Sequence, residues 1–148
     1  MFSRRKILAY GAALPWVATA ARAGTDYVYN NGGVAISGYD PVAYFTEGKP
    51  VQGAMENALK WEGAMWVFAS MANQETFMSN PHKYAPKYGG YCAYAVSQGA
   101  VAPTDPEAWT VHDGRLYLNY NTSVRDLWRQ DIPGNVTLAD GNWPKVLA

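Results

Sequence analysis

Leu59-Lys60-Trp61-Glu62-Gly63-Ala64-Met65-Trp66-Val67-Phe68-Ala69-Ser70 is the stretch whose reading decides the fold. Apolar residues stand on both sides of Glu62-Gly63, a pair suited to a tight turn, so residues 59–69 are expected as a β-hairpin. Side chains alternate along a strand, which puts Trp66 and Phe68 on one face of the returning arm. Ser70 then changes the period. It is a helix N-cap residue type, and the helix expected after it, of about ten residues, carries Met71, Phe77 and Met78. Met71 and Met78 lie seven positions apart and share a helix face. Asn80-Pro81 closes the helix and opens a further turn through Tyr84.

Outward from this centre the same two patterns recur. Towards the N-terminus, Asp40-Pro41 reads as an N-cap followed by proline at the first helical position, giving a short helix over Val42 to Phe45 that Gly48 and Pro50 end. Residues 24–33 are polar and glycine-bearing and are expected as a flexible arm, with the domain proper over 34–148. Towards the C-terminus, Gly89-Gly90 breaks the chain and Tyr91 to Val96 is expected as a short apolar helix. Trp109 to Tyr120 reads as a second hairpin around Asp113-Gly114, with Leu116 and Leu118 alternating with Tyr117. Asn121 or Thr122 caps a last helix through Gln130, with Val124, Leu127 and Trp128 on its apolar side. Residues 132–148 are expected as an irregular tail pinned by Trp143. Helices and antiparallel hairpins mix without a βαβ rhythm, so the class is α+β: a small single domain of hairpins and short helices.

The first 23 residues belong to targeting. Ser3-Arg4-Arg5-Lys6-Ile7-Leu8 places an arginine pair ahead of an apolar run from Ala9 to Ala20, and Ala21-Arg22-Ala23 supplies the small residues a signal peptidase reads. The pattern resembles a twin-arginine signal cleaved after Ala23, which sends a folded passenger to the periplasm. The run is interrupted by Gly11 and Pro15 and falls short of the ~20 apolar residues that cross a bilayer, so no stable membrane insertion is expected after cleavage. Cleavage removes Arg4, Arg5, Lys6 and Arg22 and no acidic residue from a chain with 12 of each charge, leaving 8 basic against 12 acidic. A mildly acidic chain without a basic cluster excludes nucleic acid as the expected partner.

Chemistry-bearing residues are few. The chain has one cysteine, Cys92, two histidines and five methionines, one of them Met1. Met55, Met65, Met71, Met78, His82 and Cys92 fall in one stretch, and thioether, imidazole and thiolate together suit copper. Cys92, His82, Met71 and Met78 are therefore the candidate metal ligands. Methionine also fills irregular cores, a reading that the helical spacing of Met71 and Met78 favours. Cys92 likewise has two readings. Two glycines precede it and a helix is expected to begin there, which favours a thiolate; Ala93, Tyr94, Ala95 and Val96 around it suit a buried small apolar residue. No G-x-S-x-G, H-E-x-x-H, C-x-x-C or phosphate loop is present.

Gly38-Tyr39-Asp40-Pro41-Val42-Ala43-Tyr44-Phe45, Trp66-Val67-Phe68-Ala69-Ser70, Phe77 with Asn80-Pro81-His82-Lys83-Tyr84, and Tyr88-Gly89-Gly90-Tyr91-Cys92-Ala93 together resemble exported proteins of the YHS-domain family. Pro106-Glu107-Ala108-Trp109, Leu116-Tyr117-Leu118-Asn119-Tyr120 and Asn142-Trp143-Pro144 extend the likeness across nearly all of the chain after the signal. The resemblance implies a small α+β fold and, from the modules attached to metal-transporting ATPases, soft-metal binding. Where those modules carry cysteines this chain has Ala43, Ala69 and Asn73, so the family's thiolate site does not carry over. The expected function is a non-catalytic periplasmic protein that binds a soft metal ion such as copper, or a small ligand. The alternative is a protein-interaction module of an exported or membrane-bound complex, and a thiol enzyme using Cys92 comes third.

Overall fold

The computed structural model describes residues 25–148. The signal segment, its cleavage point and the export route lie outside the described residues. The fold is α+β, built among the described residues from a mixed four-stranded sheet, a two-stranded hairpin and six helices.

The central hairpin forms from β3 (Ala54–Trp61) and β4 (Ala64–Phe68), joined at Glu62-Gly63 with φ of 53° and 78°. Both turn residues lie in the left-handed region that a tight hairpin of this twist requires. β3 begins five residues earlier than its apolar pattern predicts, and the pairing register shifts between Ala54 and Leu59. Two short strands complete the sheet: β1 (Asn30–Asn31) and β2 (Val34–Ala35), in the order β1-β2-β4-β3, with β2 parallel to β4. Of residues 24–33, expected as a flexible arm, the described ones, 25–33, include β1 and the turn into β2. Gly32-Gly33 makes the turn between β1 and β2 at φ of 60° and 91°, Asn30 Oδ1 accepts from the Gly33 N–H, and Val28 is buried in the core.

α1 (Ala43–Thr46) follows Asp40-Pro41, and α2 (Met71–Ser79) starts where Ser70 Oγ accepts from the Asn73 N–H at 3.1 Å. On α2 only Phe77 is buried. Met71 and Met78 are 49% and 53% exposed, which corrects the core reading of these two residues. Seven-residue spacing establishes a shared face and says nothing about which way the face points. α3 (Pro81–Tyr84) continues the chain, and α4 (Ala93–Ser97) follows Cys92.

The second hairpin, β5 (Trp109–His112) and β6 (Arg115–Leu118), turns at Asp113-Gly114 as expected. Its alternation has a consequence for the core. Leu116 and Leu118 pack into a first cluster with Trp66, Phe68, Phe77 and Val42. Tyr117 points the other way, into a second cluster with Tyr88, Tyr91, Val96 and Trp128. β6 thus divides two cores.

α5 (Thr122–Arg129) is capped by Asn121, whose Oδ1 accepts from the Val124 N–H at 2.8 Å, and it buries Val124 and Trp128. The tail expected as irregular is instead a helix, α6 (Ile132–Asn142). Asp131 Oδ1 accepts from the Gly134 N–H at 3.1 Å and Pro133 sits in the first turn, two start signals that outweigh the weak helix formers Gly134 and Gly141. Beyond α6, Trp143 packs its ring against Tyr27, Tyr88 and Tyr91 at centroid distances of 5.4 to 6.1 Å. None of the helices among the described residues is long and apolar enough to cross a membrane.

Candidate functional site

The four residues expected as metal ligands are not brought together. Cys92 is at 0% exposure in a small cluster with Ala95, Ala102 and Val124. Its Sγ–H donates to Asn119 Oδ1 at 3.4 Å, and the same oxygen accepts from the Tyr94 N–H at 3.0 Å. Burial pushes the thiol up to about 12, against a smaller downward pull from the backbone N–H groups of Ala95, Tyr120 and Tyr94. The helix-terminus effect on which an activated thiolate depends is present and loses to desolvation. His82 stands elsewhere, with its ring against Trp61 at 5.2 Å, and Met71 and Met78 face solvent. Among the described residues no three His, Cys, Asp or Glu side chains converge on a common point. The residues present do not fit a copper site built on Cys92.

Ala43, Ala69 and Asn73 do converge, but on a carboxylate. Asp40 is at 0% exposure. Its Oδ1 accepts from the backbone N–H of Val42 at 2.8 Å and of Ala43 at 3.4 Å. Its Oδ2 accepts from the Ala69 N–H and from Asn73 Nδ2, both at 2.8 Å. Four donors thus occupy both oxygens, closing α1 onto the end of β4 and the first turn of α2. This is a structural hub with no lone pair turned to a ligand, and its chemistry is that of a cap extended across three elements.

A cleft of about 220 Å³ lies where the two cores meet. Its rings are Trp61 and Trp66 from the first core, Tyr88 and Trp143 from the second, and Tyr27 from the N-terminal segment. Its polar groups are His82, Lys87 and Arg115. The wall at Lys87–Gly90 is a 3₁₀ turn in which Tyr88 and Gly89 take φ of 60° and 64°. A side chain at Gly89 would drive into the carbonyl oxygen of Tyr27 and reach the Trp143 ring at 3.1 Å. Only glycine lets Tyr27 and Trp143 close on this wall, and Tyr29 N–H is held to the Gly89 carbonyl at 2.9 Å.

Charge in the cleft is one-sided. Lys87 Nζ and Tyr88 Oη both donate to Asp140 Oδ1, at 3.0 and 2.9 Å. Desolvation, with that hydrogen bond second, raises the Tyr88 phenol above its ordinary range. Arg115 has no such partner. Its Nη2 donates to the His82 carbonyl at 3.1 Å, while its Nε is shut away from solvent with no partner among the described residues. Sequence reading missed this cleft because its residues are spread from position 27 to position 143 and share no motif. The one available signal was the excess of Tyr and Trp, 11 and 6 against 4 Phe, which suits wet-edged aromatic surfaces.

No family model, curated protein or solved structure matches this chain.

Proposed function

We propose that this chain is an exported, non-catalytic YHS-like binding protein that takes up a small organic ligand in the aromatic cleft between its two cores. The supporting observation is the coincidence of five aromatic rings with a guanidinium that forms no ion pair among the described residues, in a concave site of about 220 Å³. A few polar groups converging in an aromatic-lined hollow is the usual make-up of a small-molecule site. Left-handed backbone at Tyr88, a non-glycine residue, adds weight, since such conformations gather at ligand clamps. The periplasmic location rests on the arginine-pair signal read from the sequence.

Copper is set aside on the burial of Cys92 and its separation from His82 and the exposed methionines. The second reading, a docking module, rests on the exposed Met55, Met71, Met78 and Leu138. A thermal-shift screen of small organic compounds separates the two. Compounds that raise Tm for the purified protein and fail to do so for Trp143→Ala and Gly89→Ala support the cleft. Stabilisation retained in both variants places binding elsewhere and overturns the proposal.

A further inference from the structure

The cleft also carries information about the class of its occupant. An aromatic box suits a quaternary ammonium ion, which it holds through the negative faces of the rings. Here the basic groups argue the opposite. Among the described residues Arg115, Lys87 and His82 line the hollow and no aspartate or glutamate does. Lys87 is neutralised by Asp140 at 3.0 Å from outside the lining, whereas Arg115 forms no ion pair among the described residues. With no ion-pair partner of its own, the planar Arg115 fork is free to pair with an anion, and its geometry matches a carboxylate. Size narrows the choice further. An apolar cavity of about 150 Å³ takes up benzene, so a cleft of about 220 Å³ has room for one ring with a carboxyl group.

We propose that the ligand is a small aromatic carboxylate, its ring lying among Trp61, Tyr88, Trp143 and Tyr27 and its carboxylate paired with Arg115. This rests on the cleft being the binding site. Trp61 is well placed for ring contact, since it already packs edge-on against Trp66 and His82 at centroid distances of 5.6 and 5.2 Å. The His82 carbonyl fixes one arm of the Arg115 guanidinium, so less side-chain freedom is lost when an anion binds.

Isothermal titration of the purified protein with benzoate, benzamide, benzyltrimethylammonium and inorganic phosphate tests it. Benzoate is expected to bind roughly tenfold or more tightly than its neutral isostere benzamide, the usual margin of a hydrogen-bonded charge. Arg115→Gln should erase that margin while benzamide binding persists. If Arg115→Gln fails to fold by circular dichroism, Arg115→Lys decides: it keeps the charge without the planar fork and should bind benzoate more weakly than wild type. Unchanged benzoate affinity in Arg115→Lys then overturns the pairing. Benzamide or benzyltrimethylammonium binding as tightly as benzoate to the wild type overturns the ligand class and leaves the cleft standing as a site. Phosphate binding as tightly as benzoate reduces it to a simple anion site and likewise overturns the class. If no aromatic probe binds at all, the cleft itself fails as a ligand site.

Discussion

Asp40 ties three elements together, because its two oxygens take four N–H donors from the start of α1, the end of β4 and the first turn of α2. As an isolated helix cap it would be worth about 1 kcal/mol. Removing it instead strands several buried donors, each costing about 1–3 kcal/mol. Asp40→Ala is therefore expected to destabilise by about 3 kcal/mol or more in urea unfolding, and a loss near 1 kcal/mol would return Asp40 to a simple cap. Cys92 supplies the pH prediction. Its thiol is raised by burial from an ordinary value of 9.0 to about 12, so the folded state keeps a proton that the unfolded chain gives up. The stability tied to that proton is full below pH 9 and is lost as pH rises towards about 12. Wild type should accordingly lose stability faster than Cys92→Ala between pH 9 and 11, measured as urea midpoints. Parallel slopes for the two proteins would contradict the burial argument.

At the scale of elements, the sequence was clearest where a backbone conformation has few solutions. Glu62-Gly63 and Asp113-Gly114 marked both long hairpins, and Ser70 and Asn121 marked two helix starts, because turn and cap chemistry is local. α6 was hidden although its start carries the same kind of local signal, at Asp131 and Pro133. Its Gly134 and Gly141 are poor helix formers, and its stability comes from Asp131 at the start and from packing of its face on α4, where Asn142 Nδ2 donates to the Val96 carbonyl at 2.7 Å. The β1–β2 pair escaped notice because two-residue strands carry no periodic signal. Asp131→Ala removes the α6 cap and is expected to cost about 1 kcal/mol. Since α6 carries Trp143 to the cleft, the Trp143 indole signal should broaden or shift in that variant, and a spectrum unchanged at Trp143 would separate α6 from the cleft wall.

At the scale of the whole molecule, two cores share β6 and leave a hollow at their seam. No periodicity or motif encodes that hollow, because it is made by segments that meet only after folding: Tyr27 from the N-terminal end, Trp61 from the central hairpin, Tyr88 and Gly89 from a left-handed turn, and Trp143 from beyond α6. The candidate metal set failed for the converse reason. Cys92, His82, Met71 and Met78 are near in sequence and are directed to different places by the alternation of core and surface. The most direct test of where this protein binds is an NMR titration with a small aromatic carboxylate, following the indole signals of the five tryptophans after the signal segment, Trp61, Trp66, Trp109, Trp128 and Trp143, together with the Cys92 amide. Shifts concentrated at Trp61, Trp66 and Trp143, with Cys92 unmoved, are the expected result; shifts at Cys92 with Trp61 and Trp143 unchanged would contradict the cleft as the functional site.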